Sequence, residues 1–324
     1  MESPTPSPSS SAVGQTRRVN PWPDWIFFGI VVAVAILIFA LAIALVAILA
    51  WNSKESFQAF GWSFLWTTTW NPNKAIYGVI PSIIGTLLTT GLALLIAVPL
   101  SVGAAIFLTT QAPRWLRGPL GASIELLAAI PSVIYGFWGL YVVVPYMGSK
   151  VDPNLQTFLG WTGAFSGHTN GFGVLTAGII LAIMIVPTVC AVSRDTLAAV
   201  PAAQKEAALS LGATDWEVTR VAMVPWARSG IIGGIILGMG RALGETMAVL
   251  MVIGNISVIP TSLFSQGQTV ATLIATTLLN NNGPLEASAV VECGLVLLVI
   301  ALGVNVVARL LVWKVLNVGG GVIE

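Results

Sequence analysis

Long apolar runs, separated by short polar segments, dominate the chain, and their lengths are those of membrane spans. A helix needs about 20 residues to cross the ~30 Å hydrocarbon core of a bilayer. Residues 25–51 carry no charge and are bracketed by Trp25 and Trp51, as interfacial aromatic belts favour. A second run covers 76–110, with Pro81 and Pro99 near its ends. A third covers 121–147 and holds Glu125, Pro131 and Pro145. The fourth runs over 173–192, with Pro187 near its end, and the fifth, 230–254, contains Arg241 and Glu245. The sixth, 287–312, contains Glu292. The pattern predicts an all-α, polytopic membrane protein with six transmembrane helices.

Composition supports that class: hydrophobic residues are 56% of 324 and charged residues 8%. The water-facing surface of a soluble domain of this length would require far more polar side chains. A net charge of +1 and the lack of a basic patch argue against nucleic acid as a partner. Sidedness follows from the lysines and arginines. With the amino terminus inside, cytoplasmic segments and span ends hold Arg17, Arg18, Arg114, Arg117, Arg194, Lys205, Arg220, Arg228, Arg309 and Lys314. Only Lys54, Lys74 and Lys150 fall outside, a ratio of ten to three. Both termini are therefore expected in the cytoplasm of a multi-pass protein of the cell membrane.

Residues 1–20, with three Pro and five Ser, read as a disordered cytoplasmic tail. A cleaved signal peptide is not expected, because the following apolar run is too long and lacks a clear cleavage site. Residues 21–75 are assigned to the first transmembrane helix and an outer loop, and 76–324 to the main transmembrane domain. Trp62, Trp66 and Trp70 recur every four residues, which predicts a helix lying on the membrane surface. Two outer loops, 148–172 and 255–286, are rich in Gly, Asn, Ser and Thr. Within the second, 269–279 is apolar but too short to span, as an interfacial or re-entrant helix would be. Cys190 and Cys293 lie in apolar runs and read as buried thiols; His168 reads as solvated, and no metal site is expected.

Against this background, Arg194 to Arg228 is a polar island between spans four and five. From Pro201 to Glu217 the residues are good helix formers, broken once at Gly212-Ala213-Thr214. Gly212 permits a left-handed turn at a helix end, and Thr214 or Asp215 can cap the next helix. Asp215 and Glu217 suit a helix amino terminus, and Trp216 offers an aromatic anchor. Two short helices joined at Gly212 would form a knob on the cytoplasmic surface, either a docking element or a solvated connector whose charges set topology.

The fifth run poses a different problem. A charge at mid-span costs roughly 3 kcal/mol or more, so such residues face a cavity or each other. On one continuous helix, Gly230, Gly234, Gly238, Arg241, Glu245 and Ala248 fall within an arc of roughly 80°. Two readings compete. Arg241 and Glu245 form a structural salt bridge, or Arg241 is a cationic station for an anion, held and tempered by Glu245. The guanidinium fork suits a multi-oxygen anion. Gly238, nearly one turn before Arg241, would then border the same pathway.

The island also carries a recognisable pattern. Glu206, Ala207, Ala208, Gly212, Ala222, Val224 and Pro225 resemble the cytoplasmic E-A-A signature of ABC importer permeases, Ala222 and Val224 departing mildly from Ile and Leu. A narrower resemblance covers about residue 76 to the end. The string Gly240-Arg241-Ala242-Leu243-Gly244-Glu245-Thr246-Met247-Ala248, with Glu125 to Gly136 in span three, is similar to the PstC-type permeases of phosphate ABC importers. The resemblance implies a type I importer (MetI-like) fold with an ATPase-docking loop at 193–229, using Glu206, Ala207, Ala208, Gly212, Asp215, Trp216, Glu217, Arg220 and Pro225. It implies a heterodimer with a PstA-type permease, two PstB-type ATPases and an extracytoplasmic phosphate-binding protein. It also implies that Arg241 and Glu245 matter for transport.

No G-x-x-x-x-G-K-[ST] loop occurs, so ATP and Mg are expected on the partner ATPase, with no cofactor and no catalytic residue in this chain. Sulfate, molybdate or tungstate remain alternative cargoes, since one arginine does not separate phosphate from another oxyanion. An ion-driven secondary transporter would call for paired internal repeats and more intramembrane acids. An intramembrane enzyme is disfavoured, because Glu125, Glu245 and Glu292 are accompanied by neither a His pair nor a Ser/Lys dyad.

Overall fold

A computed structural model of the chain describes residues 22–280 and 283–318, with side chains described from 25 to 310 within those bounds. The expected tail at 1–20, Asn281, Asn282 and the Lys314 side chain lie outside the described residues. Two units are present, 1–48 and 49–324. Among the described residues five helices are long and apolar enough to cross a membrane, and a bent pair makes a sixth.

The first span is Trp22–Asn52 (α1), whose large apolar side chains are exposed from Trp25 onwards. An all-round apolar helix of this length suits lipid. Lys54–Phe60 (α2) follows, then a tight 3-10 turn, Gly61–Leu65. The tryptophan periodicity does not mark one helix: Trp62 and Trp66 are exposed, whereas Trp70 sits beyond the turn and packs edge-on against Tyr77, with ring centroids 4.9 Å apart. Gly61 (φ 51°) ends α2, and a four-residue repeat cannot continue through that reversal.

The second span, Ile80–Ile106 (α3), runs on through a wide turn to Gln111. The expected third span is a bent pair: Arg114–Ala129 (α4) meets the helical stretch Ser132–Thr162, which opens with Ser132–Trp138 (α5), at 91°. Pro131 explains the break. It forces Ile130 out of the helical region (ψ 128°), and it has no N–H to continue the ladder. Helix then continues from α5 through wide π turns and Val144–Tyr146 (α6) to Asp152–Leu159 (α7). Much of the expected first outer loop is therefore helical.

The fourth span, Val174–Ala198 (α8), is the hub. Most of its residues are buried, and it packs against α3, α4 and the fifth span. It also extends past its predicted end, so Arg194 and Asp195 lie on its last turns rather than in a loop. Ala202–Ser210 (α9) and Asp215–Glu217 (α10) form the polar island. Without interruption α10 continues through the π turn Val218–Met223 into Val224–Leu243 (α11), the fifth span. That span stops at Leu243. Gly244-Glu245-Thr246 is irregular and Met247–Leu250 (α12) is a separate turn.

Val270–Leu279 (α13) is the short apolar helix expected in the second outer loop. Its Val270 and Leu273 are buried beside Val79, Ala289 and Cys293, so it is tucked into the protein. Pro284–Val318 (α14) is the sixth span. Both cysteines are free and buried, His168 is exposed, and the described residues hold no cluster able to bind a metal.

Candidate functional site

The polar island takes the shape its residues predict up to Glu217. α9 has no buried residue; Glu206 and Ala207 are exposed, and Leu211 is 89% exposed at its end. Gly212 turns the chain with φ +84°, and a side chain there would meet open space. The constraint at Gly212 is thus backbone conformation, not room. Thr214 then caps the next helix in a reciprocal box. Its N–H donates to Glu217 Oε2 (2.8 Å), its hydroxyl to the same oxygen (2.9 Å), and the Glu217 N–H returns to Thr214 Oγ1 (3.4 Å). Asp215, Trp216 (56% exposed) and Arg220 face outward around this start, and Pro225 opens the first turn of α11.

Beneath the knob lies an apolar footing. Leu197, Val200, Val218, Met223 and Leu108 are buried together, and Ala208 and Ala213 pack against them. The second helix is no short appendage: it is rigidly continuous with span five.

The region around Arg241 differs from the expected stripe. Because α11 ends at Leu243, Arg241 and Glu245 do not share a helical face, and among the described residues no ion pair joins them. Arg241 donates from Nη1 to Thr188 Oγ1 of α8 (3.3 Å), while Glu245 Oε1 accepts the Ala248 N–H (3.3 Å) and so steadies the start of α12. Gly230, Gly234 and Gly238 point into α8. A Cβ at Gly238 would lie 2.7 Å from Val189 Cγ2, one at Gly234 3.1 Å from Val192 Cβ, and one at Gly230 would collide with Thr196. In this chain Gly238 is a packing glycine that lets α11 approach α8, not a bare wall of an opening.

Two contacts lay beyond sequence reasoning. Arg194 on α8 pairs with Glu125 on α4 (3.0 Å) and with Asp195 (3.1 Å), so the supposedly intramembrane Glu125 has a cationic partner 69 positions away. Charge complementarity between the two polar ends was the available signal; the fold that joins them was not. The strings picked out in spans three and five also meet: a Cβ at Gly136 of α5 would sit 3.1 Å from the Ala248 Cα. Beside Arg241 opens a cavity of about 840 Å³ between α8, α11 and α14, where Thr188 and Asn305 are the neutral polar lining residues.

These features define an all-helical, multi-pass membrane protein with an exposed polar knob fixed to one span and a cationic cleft at that span's far end. The chain belongs to the binding-protein-dependent transport system inner membrane component family, whose model matches residues 97–317. It is 48% identical over 285 residues to the phosphate transport system permease protein PstC of Pasteurella multocida, covering 87% of this chain and 89% of that protein. The PstC of Haemophilus influenzae is 46% identical over 303 residues, with 92% and 96% covered. In fold, the chain resembles one from a crystal structure of a bacterial alginate ABC transporter in complex with a periplasmic protein bound to alginate pentasaccharide. The TM-score is 0.59 at 15% identity, over 91% of this chain and 96% of that one. The fold is that of an ABC importer permease.

Proposed function

We propose that the chain is the membrane-spanning permease subunit of an ATP-driven importer of inorganic phosphate. The observation that carries this reading is the extent of the likeness to proteins named as phosphate permeases, at 42–48% identity over most of the chain. The exposed E-A-A knob, capped by Thr214 and turned at Gly212, supports it from the physical side. Energy enters at Glu206, Ala207, Ala208, Gly212, Asp215, Trp216, Glu217, Arg220 and Pro225, where a PstB-type ATPase binds; ATP and Mg stay on that ATPase. A PstA-type permease completes a heterodimer, a second ATPase serves it, and an extracytoplasmic binding protein delivers phosphate. Both termini then lie in the cytoplasm, in accord with the ten-to-three lysine and arginine bias.

The test is co-expression with the partner permease and ATPase, followed by purification from membranes on a tag carried by this chain. The ATPase should be recovered with the intact chain. Its absence from a complex that still holds both permeases would sink the docking assignment.

A further inference from the structure

Arg309 contributes to the topology count, and its place in the structure sets it in a second context. It lines the same cavity as Arg241. The walls between them are largely apolar, among them Leu237, Leu302 and Val306, and the volume lies within the ~300–1,000 Å³ of typical small-molecule sites. Among the described residues neither arginine has an acidic partner. Two uncompensated guanidinium groups bordering one largely apolar cleft repel each other, and low local polarity strengthens the repulsion. An anion between them reverses that sign.

We propose that the cleft between α8, α11 and α14 is a two-arginine site for a phosphate-type oxyanion, with Arg241 and Arg309 as its charge partners. The identity of the anion as cargo rests on the importer reading above; the site itself rests on the lining. Thr188 already accepts from Arg241 Nη1 at 3.3 Å, which orients the guanidinium and leaves its other N–H groups for the anion. The Thr188 hydroxyl proton is also available. The Asn305 amide donates one N–H to Ala301 O (2.8 Å) and keeps its second for the cleft. A divalent anion matches two guanidinium groups in charge, and each fork can give paired hydrogen bonds. Arg309 lies within one residue of the end of the sixth span, Pro284–Leu310, whereas Arg241 ends the fifth. The same chemistry also fits the phosphate of a lipid headgroup entering from the membrane.

Protection of a thiol in the cleft is the test. Val306→Cys is placed in a chain with Cys190→Ala and Cys293→Ala, and the whole importer complex is reconstituted in nanodiscs of either phosphatidylcholine alone or phosphatidylcholine with phosphatidylglycerol. Labelling by a small neutral maleimide is timed with and without inorganic phosphate. The proposal expects phosphate to slow labelling severalfold in both discs, with the protection lost in Arg309→Gln and in Arg241→Gln and partly kept in Arg309→Lys. Protection that follows phosphatidylglycerol and ignores added phosphate, yet still disappears in Arg309→Gln, keeps the oxyanion site and assigns it to a headgroup. Labelling unaffected by either oxyanion source, or protection that survives Arg309→Gln in a complex of normal size and yield, overturns the proposal. Uptake measured with the same complexes in sealed proteoliposomes separates the two readings. ATP-driven phosphate uptake together with an unprotected cleft rejects only the site, whereas no uptake by the unsubstituted complex rejects the importer reading whatever the thiol reports.

Discussion

At Arg241 the guanidinium rests on a threonine hydroxyl, and among the described residues no carboxylate pairs with it, which is the state an anion station requires. Hydrogen bonds to charged groups are worth about 1.5–3 kcal/mol, so Arg241→Gln should lower uptake by at least about 10- to 100-fold in an assembled complex. Arg241→Lys keeps the charge without the fork and should fall between. Exchanging the charges of Arg241 and Glu245 should not rescue uptake, because the structure holds no bridge to preserve in reverse. Full uptake in the exchanged protein would restore the salt-bridge reading. Gly238→Leu should act through packing: overfilling the Val189 contact costs roughly 1–3 kcal/mol, lowering the melting temperature of the purified complex. Val189→Ala should recover much of that loss, and a melting temperature unmoved by Gly238→Leu would contradict the packing role. The sequence exposed Gly212 and the Thr214 cap because turn and cap chemistry is local. It misplaced the Arg241–Glu245 relation because a four-residue spacing has meaning only while the helix continues, and Gly244 ends it.

On the scale of elements, run length located the spans and missed their shapes. Apolar content registers transfer into lipid, which a bent helix pair satisfies as well as a straight one; Pro131 was visible, but its 91° consequence was not. The Trp62, Trp66 and Trp70 spacing likewise crossed a reversal at Gly61–Leu65. Charge complementarity was the only hint of the Glu125–Arg194 pair, since the fold joins two elements far apart in sequence. The exposed α9 and the unbroken passage from α10 to α11 make a specific demand: the knob must hold its angle. Gly212→Val places a β-branched residue at φ +84°, a strained conformation of about 1–3 kcal/mol. The span helices are untouched, so the protein should insert normally while recovering much less ATPase in a quantitative pull-down. Equal ATPase recovery with equal uptake would contradict the docking role.

For the whole molecule, the hub helix α8 joins the two ends of the account. Its C-terminal end shares an apolar cluster with the knob, and its Thr188 holds Arg241 beside the cleft. The lysine and arginine distribution predicts sidedness from sequence alone, whereas the cleft needed three helices brought together from distant parts of the chain. The central claim is that this architecture moves phosphate at the expense of ATP. Its most direct test is uptake of labelled phosphate into proteoliposomes holding this chain with its partner permease and ATPase, the binding protein added on one side and ATP on the other. The account predicts accumulation that requires ATP and the binding protein, falls by at least about 10- to 100-fold in Arg241→Gln, and is not displaced by equal sulfate, molybdate or tungstate. Uptake driven by an ion gradient without ATP, or ATP-driven accumulation of one of those other oxyanions in preference to phosphate, would contradict it.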